Sequence, residues 1–304
     1  MLSGKTVNLL LFLLVFLFLF WIFTVPLPSH VRPAQIIGPP QRIVSANLRS
    51  DEVLLSLVNR ERLIAVSHLS LDPSLSNVAE EAKKIPHKVK VDPEMIYGLK
   101  PDLVVVGEGS SPDAINQLRA LGIAVFKTTR FDSLADIQKA ILDLGKAVGE
   151  EKNAEALVST AQRRLRRVGE RVGRAQRRPL VLYYSTGGYS GGRGTVVDDV
   201  IRAASGRNLA AEKGINGYKK LSLEALVMDG PEVILLGERS EREKLLYQEV
   251  LSHSGLKQVK AVREKRVYAI PSRYLVTSSH YIVEGAERLA RLLHPALFSG
   301  DPES

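Results

Sequence analysis

Between residues 150 and 176 the chain contains no proline, and its apolar residues fall at Ala154, Leu157, Val158, Ala161, Leu165, Val168, Val172 and Ala175. Steps of three and four place these side chains in one stripe on an α-helix. At 1.5 Å per residue such a helix is roughly 40 Å long, about the width of a domain. Pro179 is its expected stop. A helix of this length divides the chain into an amino-terminal and a carboxy-terminal part.

Both parts alternate short β-rich runs with amphipathic helices. Before the long helix, strands are expected at Arg42–Asn47, Leu63–Ser67, Asp102–Gly107 and Ala124–Thr129. Helices are expected at Ser50–Val58, Pro112–Leu121 and Ser133–Val148, the last capped by Asp132 or Ser133. The unbroken apolar run after Asp102 fits a parallel sheet covered on both faces. After the long helix come strand Leu180–Ser185, a glycine-rich loop, helix Thr195–Ala204 and strand Glu232–Gly237. Helix Glu241–Leu251, strand Arg266–Pro271 and a helix from about His280 to Leu293 complete the series. This order implies an α/β protein of two lobes with mostly parallel sheets, bridged by one helix. The expected divisions are a leader and linker at 1–40, a first lobe at 41–149, the interlobe helix at 150–178 and a second lobe at 179–298.

The 304 residues suffice for two domains, and a composition 45% hydrophobic and 25% charged excludes a disordered chain. There is no cysteine, which excludes disulfides, thiolate metal sites, a cysteine nucleophile and a lipid-bearing cysteine. The net charge of +9 is local: Lys5 and Arg32 supply two charges, and eight arginines against Glu170 at 163–178 supply seven. The remainder sums to zero.

Lys5 precedes an apolar run from Leu9 to Val25, and Pro26, Pro28, Pro33, Pro39 and Pro40 punctuate the segment after it. A positive end, an apolar run and a polar spacer mark export. The run lies at the boundary between a signal h-region and a spanning helix, and no small-residue cleavage pattern precedes Gln41. An uncleaved tether through residues 9–25 is therefore an option. The expected location is periplasmic or otherwise outside the cytoplasmic membrane.

A weak internal repeat relates the two lobes. VDPEMIYGLKPDLVVV at 91–106 parallels LSLEALVMDGPEVILL at 221–236, with Glu94 and Glu224 each seven residues before a proline. An acid in the first turn of a helix is favoured by the helix dipole. Two matched acids could equally present separated charges on one surface, and the pattern alone leaves both readings open.

The chain resembles the periplasmic substrate-binding proteins of ABC importers for iron complexes, haem and cobalamin, from Gln41 to about Phe298. The carriers are RIVSAN at 42–47, DPEMIYGLKPDLVVVG at 92–107, GTVVDDVIRAASGRNLAAEKG at 194–214 and IPSRYLVTSSHYIVEGAERLARLLHP at 270–295. The resemblance implies two Rossmann-like lobes joined by one long helix, a ligand between the lobes, and no catalysis or resident cofactor. It also implies that Glu94 and Glu224 dock on arginines of a permease dimer that works with its ATPase.

Other motifs fail their tests. GGYSGGRG at 187–194 stands between a strand and a helix, but Val197 replaces the third glycine of a dinucleotide loop and the segment supplies no Gly-Lys-Ser/Thr. It reads as a flexible loop on the cleft, with Tyr189 and Arg193 in reach of a ligand. His68, His87, His253, His280 and His294 lack zinc spacing. His280-Tyr281 reads as a helix start rather than a haem-ligating pair. The arginines at 163–178 lie on the polar face of the long helix without interleaved aromatics, which speaks against nucleic acid. They read as a solvated face, with anionic lipid headgroups as the alternative contact.

Open α/β sheets bind ligands at strand ends. The candidates are Asn47, His68 and Arg130 in the first lobe, and Tyr189, Tyr218, Arg239, Arg273 and Tyr274 in the second. Arginines would pair with carboxylate or catecholate oxygens and tyrosines would stack on a chelate. The three arginines favour a ferric siderophore over cobalamin, while His68 with a cleft tyrosine would suit haem. The rival from another class is an α/β enzyme with an interlobe active site. No catalytic grouping in the sequence supports it.

Overall fold

The computed structural model describes residues 38–129, 131–222, 228–238 and 241–299. The first sheet contains β1 (Ile43–Ser45), β2 (Leu63–Ser67), β3 (His87–Val89), β4 (Leu103–Val106) and β5 (Ala124–Lys127). Its order is β3-β2-β1-β4-β5 and every pairing is parallel. All four residues of β4 are buried, as a strand covered on both faces requires. The second half contains β6 (Leu180–Tyr184), β7 (Tyr189–Gly191), β8 (Arg207–Asn208), β9 (Tyr218–Lys220), β10 (Val233–Glu238) and β11 (Val267–Pro271). Four of these form a parallel sheet in the order β11-β10-β6-β8, while β7 and β9 pair as an antiparallel ribbon. The α/β architecture with parallel sheets agrees with the sequence.

In each sheet the strand order reverses beside the first strand, between β1 and β4 and between β6 and β10. Such switch points leave a crevice beyond the strands' carboxyl ends.

The long helix spans Glu151–Val172, 22 residues or roughly 33 Å. Helix Leu134–Val148 precedes it, with Ser133 as N-cap accepting from the Asp136 amide. That helix ends at Gly149, whose φ of 70° suits a residue without a side chain. The chain then reverses directly into the long helix. A Cβ on Gly145 would stand 2.3 Å from that of Ala154, so glycine permits the two helices to touch.

The long helix is shorter than its apolar pattern predicts. It ends at Val172, with Gly173 as its C-cap, well before Pro179. Gly169 and Gly173 each disfavour helix by about 1 kcal/mol relative to alanine. Arg174, Arg177 and Arg178 therefore do not lie on the helix face as expected.

Its buried residues Ala154, Val158, Ala161, Val168 and Val172 join one core with Ile43 and Leu103 from the first sheet. The same core includes Val181 and Val233 from the second sheet and Leu289 from the closing helix, Ile282–Leu293. The other face of each sheet carries its own smaller core.

Candidate functional site

Where β1 ends, Asn47 caps helix Leu48–Leu57. Its Oδ1 accepts from the Ser50 amide at 3.1 Å, and its Nδ2 donates to the Ser50 hydroxyl at 2.7 Å. The expected ligand residue thus has its polar atoms engaged in starting a helix. Arg49, in the first turn of that helix, is exposed, and its guanidinium lies 5.7 Å from the Phe131 ring.

Tyr189 and Tyr218 lie on the β7–β9 ribbon, where Tyr189 pairs with Lys220 and Gly191 with Tyr218. Paired residues and their second neighbours share a face, so the two tyrosines stand on one side of the ribbon. Each is 48% exposed. The glycine-rich segment is therefore a paired arm rather than a flexible loop. A side chain on Gly192 would meet the Ile215 carbonyl at 2.1 Å, which explains one of its glycines. Burial and then the Asp132 carboxylate push the Tyr218 hydroxyl above its ordinary range, while Arg49 pulls it down. Tyr218 of the second lobe is thus within electrostatic range of Arg49 and Asp132 of the first.

Deeper between the lobes, Leu48, Arg49 and Leu75 meet Arg273, Val276 and Thr277 around a pocket of about 180 Å³. That falls below the roughly 300–1,000 Å³ of pockets for drug-sized molecules. A buried polar tie spans this boundary. Glu52 accepts from the Asn77 amide at 2.8 Å, from Asn77 Nδ2 at 2.9 Å and from the Thr277 hydroxyl at 3.0 Å. The Ser279 hydroxyl also donates to it. Asn77 Nδ2 donates in addition to the Arg273 carbonyl at 2.8 Å.

Arg273 itself donates to the Pro73 carbonyl across the boundary. Its guanidinium lies 5.0 Å from the Tyr274 ring, which Arg288 approaches at 4.8 Å. Arg273 and Tyr274 are thus held in interlobe and intralobe contacts. One Arg273 donor is used in this way, and the residue still lines the interlobe pocket. Arg130, Arg239 and Glu224 lie outside the described residues, as does the apolar run at 9–25. His68 is exposed on the turn after β2, with Nδ1 3.3 Å from the Val89 carbonyl. The ribbon brings Tyr189 and Tyr218 together, Tyr218 lies within electrostatic range of Arg49, and His68 is apart from the lining of the interlobe pocket.

His280 packs against Tyr281 at 4.2 Å, and burial lowers its pKa to about 4, so it is neutral at physiological pH. Glu94 is exposed in the first turn of helix Pro93–Gly98, where Asp92 provides the cap. Its neighbours Met95 and Tyr97 are 51% and 54% exposed. In the second lobe Met228, four residues after Glu224, is 85% exposed.

Asp51 is fully buried beside Glu52 in the same helix. It accepts from the Ser67 amide at 2.8 Å and from the Ser70 hydroxyl. Burial raises its carboxyl to about 8, against 3.8 ordinarily. Burial also raises Glu52. Between pH 4 and 8 the folded protein keeps a proton on Asp51 that the unfolded chain has released. The stabilisation this supplies is complete below about pH 4 and declines as pH rises to 8, by up to about 1.4 kcal/mol per unit. The urea midpoint is expected to fall between pH 5 and 8 and to fall less steeply in Asp51→Asn. An equal slope in that variant would refute the assignment.

Sequence reasoning did not single out Arg49, Glu52, Phe131, Asn77, Thr277 or Ser279. The one available signal was the adjacent acids Asp51 and Glu52 at the start of a helix whose following residues are mostly apolar.

A model of periplasmic binding proteins matches residues 43–274. The chain is 26% identical over 269 residues to an uncharacterised ABC transporter substrate-binding lipoprotein of Bacillus subtilis, covering 85% of this chain and 82% of that one. It is 26% identical over 264 residues to a cobalamin-binding protein of Halobacterium salinarum, covering 84% and 70%. Among solved structures, a periplasmic heme-binding protein of Roseiflexus superposes with a TM-score of 0.72 at 26% identity, covering 86% of this chain and all of that one.

Proposed function

The chain belongs to the periplasmic binding protein family, and from that premise we propose that it captures a corrinoid of the cobalamin type between Arg49 and the tyrosine ribbon. At the family level it is the extracytoplasmic substrate-binding component of an ABC importer for iron complexes, haem, cobalamin or metals. It works with a membrane permease and its ATPase, and it is not an enzyme.

The carrying observation is the pair Tyr189 and Tyr218, half-exposed on one ribbon face, with Arg49 within electrostatic range of Tyr218. Aromatic faces and a guanidinium suit a large ring bearing amide side chains, through stacking and hydrogen bonds. A corrin holds its own metal and asks for no protein ligand. The Halobacterium relative, named as cobalamin-binding, supports this reading. The ferric siderophore expected from the sequence rested on three arginines, of which Arg273 is held by Pro73 and the other two lie outside the described residues.

Haem is the second reading, favoured by the Roseiflexus structure. Calorimetric titration with cyanocobalamin tests the placement. Tyr218→Ala is expected to weaken binding about tenfold or more, the loss of a stacking face with a hydrogen-bonding tip. Undiminished affinity in Tyr218→Ala and in Tyr189→Ala would place the ligand elsewhere.

The Bacillus relative is named a lipoprotein. This chain has no cysteine to carry such a lipid, so any tether falls to the apolar run at 9–25. Glu94 and Glu224 are the proposed contacts with the permease.

A further inference from the structure

The arginines between 163 and 178 lie outside the proposed ligand site, yet the fold gathers several of them. Arg164, Arg167, Arg171 and Arg174 meet Arg291 and Phe298 around a cavity of about 510 Å³. Among the described residues only Glu170 and Glu287 bring negative charge to its lining. Glu287 is paired with Arg164, which also holds Glu284. The guanidinium groups of Arg171 and Arg291 lie 4.9 and 5.8 Å from the Phe298 ring. Arg167 and Arg174 are exposed and have no carboxylate partner among the described residues. The Arg291 Nε is buried without a hydrogen-bond partner.

Five arginines against two glutamates repel one another wherever water is displaced from between them. A multivalent anion removes that repulsion. Planar guanidinium forks match the paired oxygens of a phosphate group, and an aromatic ring beneath two of them fixes their planes. We propose that this pocket binds a phosphate-bearing anion.

The source of the phosphate is a lipid headgroup or a soluble phosphate ester. Arg174 leads through Arg177, which pairs with Glu232, to the amino-terminal ends of β6 and β10. In the first lobe the described chain also enters at the amino-terminal edge of its sheet. Pro39 packs there on Gly149, and Arg62 Nε donates to the Pro40 carbonyl at 2.8 Å. The root of the leader thus packs at the start of the long helix, roughly 20 Å or more along it from the pocket at its far end.

The test titrates the full-length protein, in neutral detergent, with inorganic pyrophosphate and with glycerophosphoglycerol, the deacylated headgroup of an anionic phospholipid. Saturable binding is expected, weakened about tenfold or more in Arg167→Gln/Arg174→Gln by loss of charge-assisted contacts. Both side chains are exposed and outside ion pairs, so an unchanged melting temperature should accompany the loss. Binding of glycerophosphoglycerol assigns the site to the membrane, and binding of pyrophosphate alone assigns it to soluble phosphate. No saturable binding of either probe, or equal affinity in the double variant, overturns the proposal.

Discussion

Reversing both Glu94 and Glu224 to lysine is expected to abolish uptake in cells while the purified protein keeps its ligand affinity. The two glutamates match in the internal repeat, and a two-fold permease would offer two matching sites. Charge pairs across such an interface guide encounter, and truncating a buried pair costs about 2–5 kcal/mol or more. Glu94 is exposed, and the cap of its helix is Asp92, so the fold does not need it there. The exposed Met95 and Tyr97 beside it are the apolar surface that docking would cover. If the glutamates serve only the helix dipole, each reversal costs within about 1 kcal/mol of stability and uptake stays normal. Uptake, ligand affinity and melting temperature on the two single variants and the double variant separate these outcomes. Normal uptake in the double variant would end the docking role.

Glu52→Ala is expected to destabilise the protein by about 3–5 kcal/mol, because it strands buried partners on both sides of the lobe boundary. Four donors lose their acceptor: the Asn77 amide and side chain, and the hydroxyls of Thr277 and Ser279. The tie and the shared core along the long helix also predict only a small change in scattering radius when ligand binds. In Glu52→Ala the ligand-free radius should increase. A loss below about 1 kcal/mol with unchanged scattering would show that the tie does not hold the lobes together.

The local features of this fold are legible in the sequence. Strand Leu63–Ser67 has the bounds its apolar run predicts. Ser133 and Thr195 cap the helices their positions suggest. The long helix reads too long in sequence because periodicity continues to Ala175, while the cost of Gly169 and Gly173 acts on the backbone and leaves the stripe intact. The strands β3, β7 and β9 have three residues each, too few for a period to declare itself.

The site is less legible for a different reason. Asn47, Arg273 and Tyr274 stand near strand or helix ends, as ligand residues do, but their positions do not reveal which partners hold them. Arg273 meets Pro73 across 200 residues and Glu52 meets Ser279 across 227. Such contacts are set by the packing of one lobe on the other. Arg49 looks like an ordinary helix-surface arginine until the fold places it beside the Phe131 ring and on the lining of the interlobe pocket.

The most direct measurement is an equilibrium titration of the purified protein with cyanocobalamin, haemin and a ferric hydroxamate, monitored by each chelate's own visible absorption. The account predicts saturable one-to-one binding of cyanocobalamin at micromolar concentration or below, about −8 kcal/mol or stronger, and weaker binding of the other two. Tighter binding of haemin or the ferric chelate would contradict the corrinoid assignment, and no binding of any of the three would contradict capture of a metal chelate between the lobes.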